Sequence, residues 1–329
     1  MTEPKLLDAS QKRQCCIHVG VNKTGTTTMQ RHLFPGHKDV AYLGKIAQWG
    51  RRKYTNPEVD RLLNRLAGDR LTHGECDTMR AIYREQVAPL LASNRVPVWS
   101  QEGLCMAPAA KRLNRAKNIL DVFGPCSVMI VIRRPEALTE ALYFQRLQGA
   151  ALGRRRKQRF NSHFSIEHWL EDRWQATGRF RIGPLDYART ARQYACLFGM
   201  ANVGVFCFEQ LVESSDSFVT EISQFMGIEP VQAQQLMAGK RENVRWTDRQ
   251  VKQFRQIENS PILSRFYRLM PRPIRRRLIE LVKKDRQGEK ARAFYSDLWQ
   301  QRINDSTREG NAYLQENWEL PLEQYGYPV

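Results

Sequence analysis

Short apolar runs that alternate with helical patterns constrain the fold of this chain most strongly. The runs end at turn residues, are rich in β-branched side chains, and lie at residues 15–19, 40–43, 96–99, 127–132 and 203–208. Continuous apolar character is typical of strands that are buried on both faces. Helical patterns separate the runs, at residues 25–33, 77–91, 109–123, 135–147, 186–198 and 210–226. The alternation predicts an α/β fold with a doubly wound parallel sheet flanked by helices.

The last third of the chain is almost wholly helical in pattern. Pro271 and Pro273 interrupt it once, because proline cannot continue a helix interior. We therefore predict an N-terminal tail at 1–13 and a single α/β domain at 14–329, with a helical extension at about 231–329.

The sequence also gives an expectation for location. The first residues are polar, with no apolar signal core, and no run reaches the ~18–20 apolar residues of a membrane-spanning helix. We expect a cytoplasmic protein, with peripheral contact to the inner face of the membrane as a second option. The cysteine count is odd, 7, with irregular spacing and no CxxC pair, which indicates reduced thiols rather than disulfides or zinc.

A glycine-bounded segment after the first predicted strand is the most informative motif. Gly20 and Gly25 let the backbone turn tightly and approach a ligand, and Lys23 between them adds a positive charge. The helix that follows directs its first N–H groups at an anion. Gly20 and Gly25 have the glycine spacing of a Walker A loop, but Thr26 and Thr27 stand where that loop has lysine and then serine or threonine. The motif predicts a phosphate-binding loop; the alternative is an ordinary glycine turn.

The residues Lys23-Thr24-Gly25-Thr26-Thr27, after His18-Val19-Gly20, resemble the 5′-phosphosulfate loop of sulfotransferases that use 3′-phosphoadenosine-5′-phosphosulfate (PAPS). Ile132-Arg133-Arg134-Pro135 is similar to the family's 3′-phosphate strand. Weaker similarities follow in the same order, at residues 208–211, 225–228, 241–244, 310–311 and 325–328. The resemblance spans roughly residues 15–328 and implies a P-loop-like fold and transfer of a sulfuryl group from PAPS, leaving adenosine 3′,5′-bisphosphate.

The resemblance also implies a set of donor-binding residues: Lys23, Thr24, Gly25, Thr26, Thr27, Thr28, Arg133, Arg241, Asn243 and Arg245. One position departs from the family pattern. Ala141 stands eight positions after Arg133, where the family has a serine that also binds the 3′-phosphate. Binding of that phosphate would then depend on Arg133, together with Lys240, Arg241 or Arg245.

Three residues are candidates for catalysis. Lys23 would stabilise negative charge on the departing phosphate, as positioned cations do in phosphoryl transfer. Glu102 follows a predicted strand at its carboxyl end, where open α/β sheets bind ligands, and is the first candidate for the general base. The alternative for Glu102 is a solvated loop glutamate. His18 is the second candidate base, and a buried, hydrogen-bonded histidine is its alternative. No carboxylate pair or histidine cluster has metal-ligand spacing, so we expect no metal.

The chain is strongly basic, with a net charge of +18. Residues 153–159 hold five basic residues and no acid, and residues 261–292 hold eleven basic and three acidic residues. In the second region apolar residues recur at helical spacing. They form either a core-facing stripe beside solvated arginines or a surface for an anionic membrane or acidic polysaccharide. The run at 153–159 is either a solvated loop or a mobile segment that binds the acceptor.

Three functions compete at this point. The first is a PAPS-dependent sulfotransferase that acts on a hydroxyl of a carbohydrate or lipid-linked acceptor. The second is a P-loop-type nucleotide kinase or NTPase, against which stands the missing Gly-Lys-Ser/Thr sequence. The third is a non-catalytic polyanion-binding protein, which charge alone suggests. No specific nucleic-acid motif is present.

Overall fold

The computed structural model describes residues 14–44, 56–151, 165–175, 185–240, 242, 246–271, 273–274, 277–278, 281–282 and 287–329. The chain divides into two compact units. The first comprises Met1–Arg134, Gly183–Glu242 and Arg308–Val329, and the second comprises Pro135–Ile182 and Asn243–Thr307.

The first unit contains a five-stranded parallel sheet with strand order β2-β3-β1-β4-β5. Its strands are β1 (Cys16–His18), β2 (Val40–Gly44), β3 (Val96–Ser100), β4 (Ser127–Ile132) and β5 (Val203–Cys207). The five predicted strands and the predicted parallel α/β class are confirmed. Every residue of β1, β3, β4 and β5 is buried, which explains their continuous apolar character.

Helices of the first unit cover both faces of the sheet. They are α1 (Thr26–Thr28), a π-helix (Met29–Leu33), α2 (Phe34–Gly36), α3 (Pro57–Leu66), α4 (His73–Gln86), α5 (Ala88–Ala92), α6 (Gly103–Met106), α7 (Ala109–Phe123), α10 (Tyr187–Phe198), α11 (Phe208–Glu213), α12 (Ser215–Met226) and α13 (Pro230–Met237). On one face, Cys16, Val98, Met129 and Phe206 pack with α12, α13 and the π-helix in one buried cluster. Helix α10 contacts β4 and β5.

Most of the described residues of the second unit are helical, and residues 287–296 are not. The unit contains α8 (Pro135–Ala151), α9 (Ile166–Gln175), α14 (Asp248–Asn259), α15 (Pro261–Leu269) and the first part of α16 (Asp297–Trp318), which ends in the first unit. The predicted helical extension is therefore present. No helix in the described part of the chain is long and apolar enough to cross a membrane.

Three predicted helices are broken, for local reasons. The helix predicted at 210–226 is divided into α11 and α12 at Ser214, whose φ of −140° and ψ of 77° are not helical. The helix predicted at 77–91 ends at Gln86, because Pro89 in the first turn of α5 has no N–H to continue the hydrogen-bond ladder. The helix predicted at 25–33 widens into the π-helix at Met29 and returns to α geometry at Phe34. Short π segments inside helices often accompany functional sites.

Helix α4 begins with a capping box that also forms an ion pair. The Glu75 carboxylate accepts hydrogen bonds from the Thr72 N–H and hydroxyl, each at 2.9 Å. Arg65 donates to both carboxylate oxygens of Glu75 at 2.7 Å. The arginine bonds and the cap together lower the pKa of Glu75 to about 2. The charged form of this side chain therefore secures the start of α4 against α3.

Candidate active site

The loop between β1 and α1 lies at the carboxyl end of the central strand. β1 is flanked by β3 and β4; the chain leaves β1 toward β2 at one edge of the sheet and leaves β4 toward β5 at the other edge. Open α/β sheets bind ligands at such a switch point. Lys23 has φ 72° and Gly25 has φ 78°, so two of three consecutive residues in the loop have a left-handed backbone conformation. Successive N–H groups in alternating left- and right-handed backbone form a concave nest for anions.

The threonines of the loop have two different environments. Thr24 and Thr26 are buried and donate their hydroxyl protons to the Val21 carbonyl, at 2.7 and 3.1 Å. These hydroxyls hold the loop in shape. Lys23 and Thr27 are only half-buried, so they lie on the outer side of the same loop. Of the predicted donor-binding side chains in this segment, Lys23 and Thr27 are thus the ones accessible to a ligand.

His18 is part of a buried network beneath the loop. Its Nδ1 shares a hydrogen bond of 2.8 Å with Ser100 Oγ, because register pairs His18 with Ser100 on β3. Gln30 of the π-helix donates to the same hydroxyl at 2.8 Å. The imidazole is fully buried, and a Cβ added at Gly20 would lie 2.5 Å from its Nε2. This environment is that of a supporting residue, and a role of His18 as a base stays a prediction.

Arg133 joins the end of β4 to the loop between β1 and α1. Its Nη1 donates to the Lys23 carbonyl at 2.8 Å, and its guanidinium lies 4.7 Å from the centre of the Phe208 ring. The Tyr187 hydroxyl donates to the Arg133 carbonyl at 2.8 Å. Burial raises the pKa of Tyr187 well above its usual value, so the phenol stays a donor. The structure thus brings two predicted site residues, Lys23 and Arg133, into direct contact.

The C-terminal segment reaches the same strand ends. Glu209 accepts from the Arg134 backbone N–H at 3.0 Å and from the Tyr327 hydroxyl at 2.7 Å. Burial raises the pKa of Tyr327 well above its usual value. Asn311 donates to the Pro328 carbonyl at 2.8 Å and so fixes the last residues against the final helix. The carboxyl ends of β4 and β5 are therefore tied together by the last residues of the chain.

Glu102 lies at the carboxyl end of β3, next to β1 in the sheet. It is the N-cap residue of α6, and its backbone carbonyl accepts from the Cys105 and Met106 N–H groups, each at 3.1 Å. The preceding Gln101 N–H donates to the His18 carbonyl at 3.0 Å, which joins this turn to β1. The half-buried Glu102 is thus held at the carboxyl ends of the strands, where the loop between β1 and α1 also lies, and its role as a base stays a prediction.

Other predicted residues are outside the described part of the chain or belong to the second unit. Arg241, Asn243 and Arg245 are outside the described residues, as is the basic run at 153–159. Ala141 is a buried residue of α8, in the second unit. Between the undescribed positions, Glu242 contacts His32 at 3.0 Å and also pairs with Arg31 of the π-helix.

Sequence reasoning missed the residues that support the site. Ser100, Tyr187, Phe208, Glu209 and Tyr327 each contact a loop or strand-end residue named above. A polar residue that ends an apolar strand was the available signal for Ser100. Phe208, Glu209 and Tyr327 lie in the segments 208–211 and 325–328 that resemble the family, but nothing local indicates their contacts, because their partners lie far away in sequence. Tyr187 has no local signal.

All seven cysteines are described and carry free thiols, six of them buried. Within the described residues no three His, Cys, Asp or Glu side chains are grouped so as to hold a metal ion.

Comparisons with known proteins bear on the fold. No protein-family model matches the sequence, and no curated protein matches it significantly. Among solved structures, the chain is similar to a sulfotransferase from Alicyclobacillus acidocaldarius, with a TM-score of 0.50 and 14% sequence identity. That match covers 95% of this chain and 98% of the other. A sulfotransferase domain from the curacin biosynthetic pathway also matches, with a TM-score of 0.36, 12% identity, and coverage of 69% and 79%.

The first match extends over almost the full length of both chains. The similarity inferred from the loop residues therefore agrees with the three-dimensional architecture, and the chain has a sulfotransferase-like fold.

Proposed function

We propose that the protein is a sulfotransferase that moves a sulfuryl group from PAPS to a hydroxyl of a carbohydrate or lipid-linked acceptor. The observation that carries the proposal is the contact of Arg133 with the Lys23 carbonyl, at 2.8 Å, at the carboxyl end of the central strand. Two cationic residues meet there beside an anion-binding loop. A donor that carries phosphate and phosphosulfate groups matches this set of charges and N–H groups.

The loop supports binding of the donor's 5′ end. Lys23 and Thr27 lie on its accessible side, and the first turn of α1 directs N–H groups outward. Gly25 has no side chain to obstruct that approach. We assign Arg133 to binding of the 3′-phosphate, as the family resemblance implies. In the structure its guanidinium lies against the Phe208 ring, which holds the side chain in position.

The residues have separate tasks in the transfer. The acceptor oxygen forms a bond to sulfur while the bond from sulfur to the phosphate oxygen breaks. Lys23 neutralises the charge that builds on that phosphate oxygen. Glu102 takes the proton of the acceptor hydroxyl as it attacks. Protein cations suffice to neutralise the leaving group, and the proposed steps require no metal.

Binding measurements test the donor assignment. By calorimetry, the full chain should bind adenosine 3′,5′-bisphosphate more tightly than adenosine 5′-monophosphate. Arg133→Gln should reduce that preference by about 1.5–3 kcal/mol, the usual range for a hydrogen bond to a charged group. Arg308→Gln removes an equally positive, exposed side chain and serves as the control. Equal affinity for the two nucleotides in the parent protein would contradict the assignment.

Turnover tests the reaction class. Incubation with PAPS and a panel of carbohydrate and lipid-linked alcohols should give products heavier by one sulfuryl group. Parallel incubation with ATP and magnesium tests the kinase alternative. Phosphorylated products with ATP, and none with PAPS, would replace the proposal with that alternative.

A further inference from the structure

Helix α15 exposes its apolar residues to water. The exposed fraction is 70% for Ile262, 69% for Phe266 and 77% for Leu269, with Leu263 at 50%. The interpretation of this stripe as core is therefore wrong for these residues. Every described side chain of the helix is exposed, so the described part of α15 shows no buried face.

The exposed apolar residues share one face of the helix. Positions 262, 263, 266 and 269 follow the spacing i, i+1, i+4, i+7, which forms a single stripe. Beyond Pro271 and Pro273 the pattern continues, with Ile274, Leu278 and Leu281 exposed by 51%, 39% and 56%. An apolar stripe of this extent in contact with water is unfavourable and marks an interaction surface.

The same segment is strongly cationic. Residues 261–292 contain eleven basic and three acidic residues. Arg265 lies beside the apolar stripe on α15, and Arg277 lies between Ile274 and Leu278; both are exposed. A partner must therefore offer negative charge next to an apolar phase.

We propose that this surface binds the face of an anionic lipid bilayer. Lipid headgroups neutralise the arginines, and the acyl region takes up Ile262, Phe266 and Leu269. An acidic polysaccharide would satisfy the arginines alone and leave the apolar residues in water. A second copy of the chain would bring one cationic surface against another. A nine-residue helix is about 14 Å long, less than half the hydrocarbon thickness, so α15 lies in the plane of the surface.

Sedimentation of the full chain with vesicles tests the proposal. We expect binding to mixed phosphatidylcholine–phosphatidylglycerol vesicles and not to phosphatidylcholine alone, with weaker binding at high salt. Arg265→Gln with Arg277→Gln should weaken binding about 25-fold, since each cation near an anionic surface contributes about a fivefold factor. Ile262→Gln with Phe266→Gln should weaken it at least about tenfold.

Matched controls use exposed residues of the first unit. Val212→Gln with Val231→Gln removes two apolar side chains that are 57% and 58% exposed. Lys117→Gln with Arg308→Gln removes two exposed cations. Neither pair should change vesicle binding by more than about twofold.

Three outcomes would overturn the proposal. The first is no binding to anionic vesicles at low salt. The second is binding that falls with the arginine variant but not with the apolar variant, together with equal binding to an acidic polysaccharide. The third is a dimer in solution that dissociates in the Ile262→Gln, Phe266→Gln variant, which would make the stripe a contact between copies. The test uses no PAPS, so its result is independent of the proposed reaction.

Discussion

At the scale of single residues, Lys23 combines a charge with an unfavourable backbone conformation. Its φ of 72° lies in the left-handed region, which costs a residue with a Cβ roughly 1–2 kcal/mol. The loop retains a lysine there because neighbouring contacts hold the turn: Thr24 and Thr26 bind the Val21 carbonyl, and Arg133 binds that of Lys23. Strain of this kind is concentrated at functional sites.

Two substitutions at Lys23 separate charge from strain. Lys23→Gly and Lys23→Ala both remove the ammonium group, so both should lose nucleotide affinity and turnover. Glycine accepts a positive φ and alanine does not, so the glycine variant should be more stable by about 1 kcal/mol. Denaturant unfolding measures the difference. Equal stability would show that the turn relaxes, and Lys117→Ala, on the exposed face of α7, is the control for loss of charge.

The carboxylate of Glu102 gives the second prediction at this scale. Glu102→Gln keeps the size of the side chain but removes its capacity to accept a proton. Turnover should fall about 10²–10⁴-fold, while the affinity for adenosine 3′,5′-bisphosphate stays the same. Unchanged turnover would move the role of base away from Glu102, and His18→Gln would be the next variant to measure.

At the scale of elements, the junction of β1 with α1 requires glycine at position 25. Gly25 has φ 78°, and a Cβ there would lie 2.7 Å from Leu211 Cδ2 on α11. Gly25→Ala should therefore lower the free energy of unfolding by about 1–2 kcal/mol through backbone strain, with a further loss from the contact.

Two further variants check that prediction. Adding Leu211→Ala to Gly25→Ala removes the contact and should restore only the part of the stability that the contact costs. Gly74→Ala, on α4 where a Cβ would meet nothing within 4 Å, should stabilise by about 0.5–1 kcal/mol. If Gly74→Ala destabilised the protein as much as Gly25→Ala, the left-handed backbone at Gly25 would not explain the loss of stability.

The start of α4 gives a prediction about pH. The pKa of Glu75 is about 2 in the folded chain and near the usual glutamate value of 4.5 when unfolded. Because the folded pKa is the lower one, the stabilisation is complete above about 4.5 and is lost as the pH falls toward 2. Glu75→Gln should flatten the pH dependence of stability in that window, and an NMR titration of the carboxyl group measures the pKa directly. A titration midpoint near 4.5 in the folded protein would contradict the ion pair with Arg65.

The sequence predicted the elements better than their contacts. The apolar strands at β3, β4 and β5 were located to within one residue, because burial on both faces leaves an unbroken apolar run. The loop with Lys23 was found for the same local reason, since glycine, lysine and threonine adjoin in sequence. The contacts of Glu209 with Arg134 and Tyr327 join three distant segments and could not be read from any one of them. The exposure of Phe266 was also hidden, because an amphipathic pattern does not say whether its apolar face is covered.

At the scale of the whole molecule, the net charge of +18 acts on every anion that approaches. Long-range attraction accelerates association of charged ligands and is screened by salt. We expect the association rate of adenosine 3′,5′-bisphosphate to fall roughly tenfold or more from low to physiological salt, with a smaller change in its dissociation rate. Stopped-flow measurements give both rates. An association rate that does not depend on salt would show that the excess charge does not steer the donor.

The central place of β1 in the sheet has a consequence for how the chain is made. β1 is held between β3 and β4, whose first residues, Val96 and Ser127, leave the ribosome long after Cys16. Until then the apolar strand has no neighbours, and such unpaired strands are prone to aggregate. A nascent chain that ends before Ser127 contains every residue of the loop between β1 and α1 but lacks one of the two strands that flank β1. If this loop binds the donor as proposed, nucleotide binding should appear only once β4 has been synthesised.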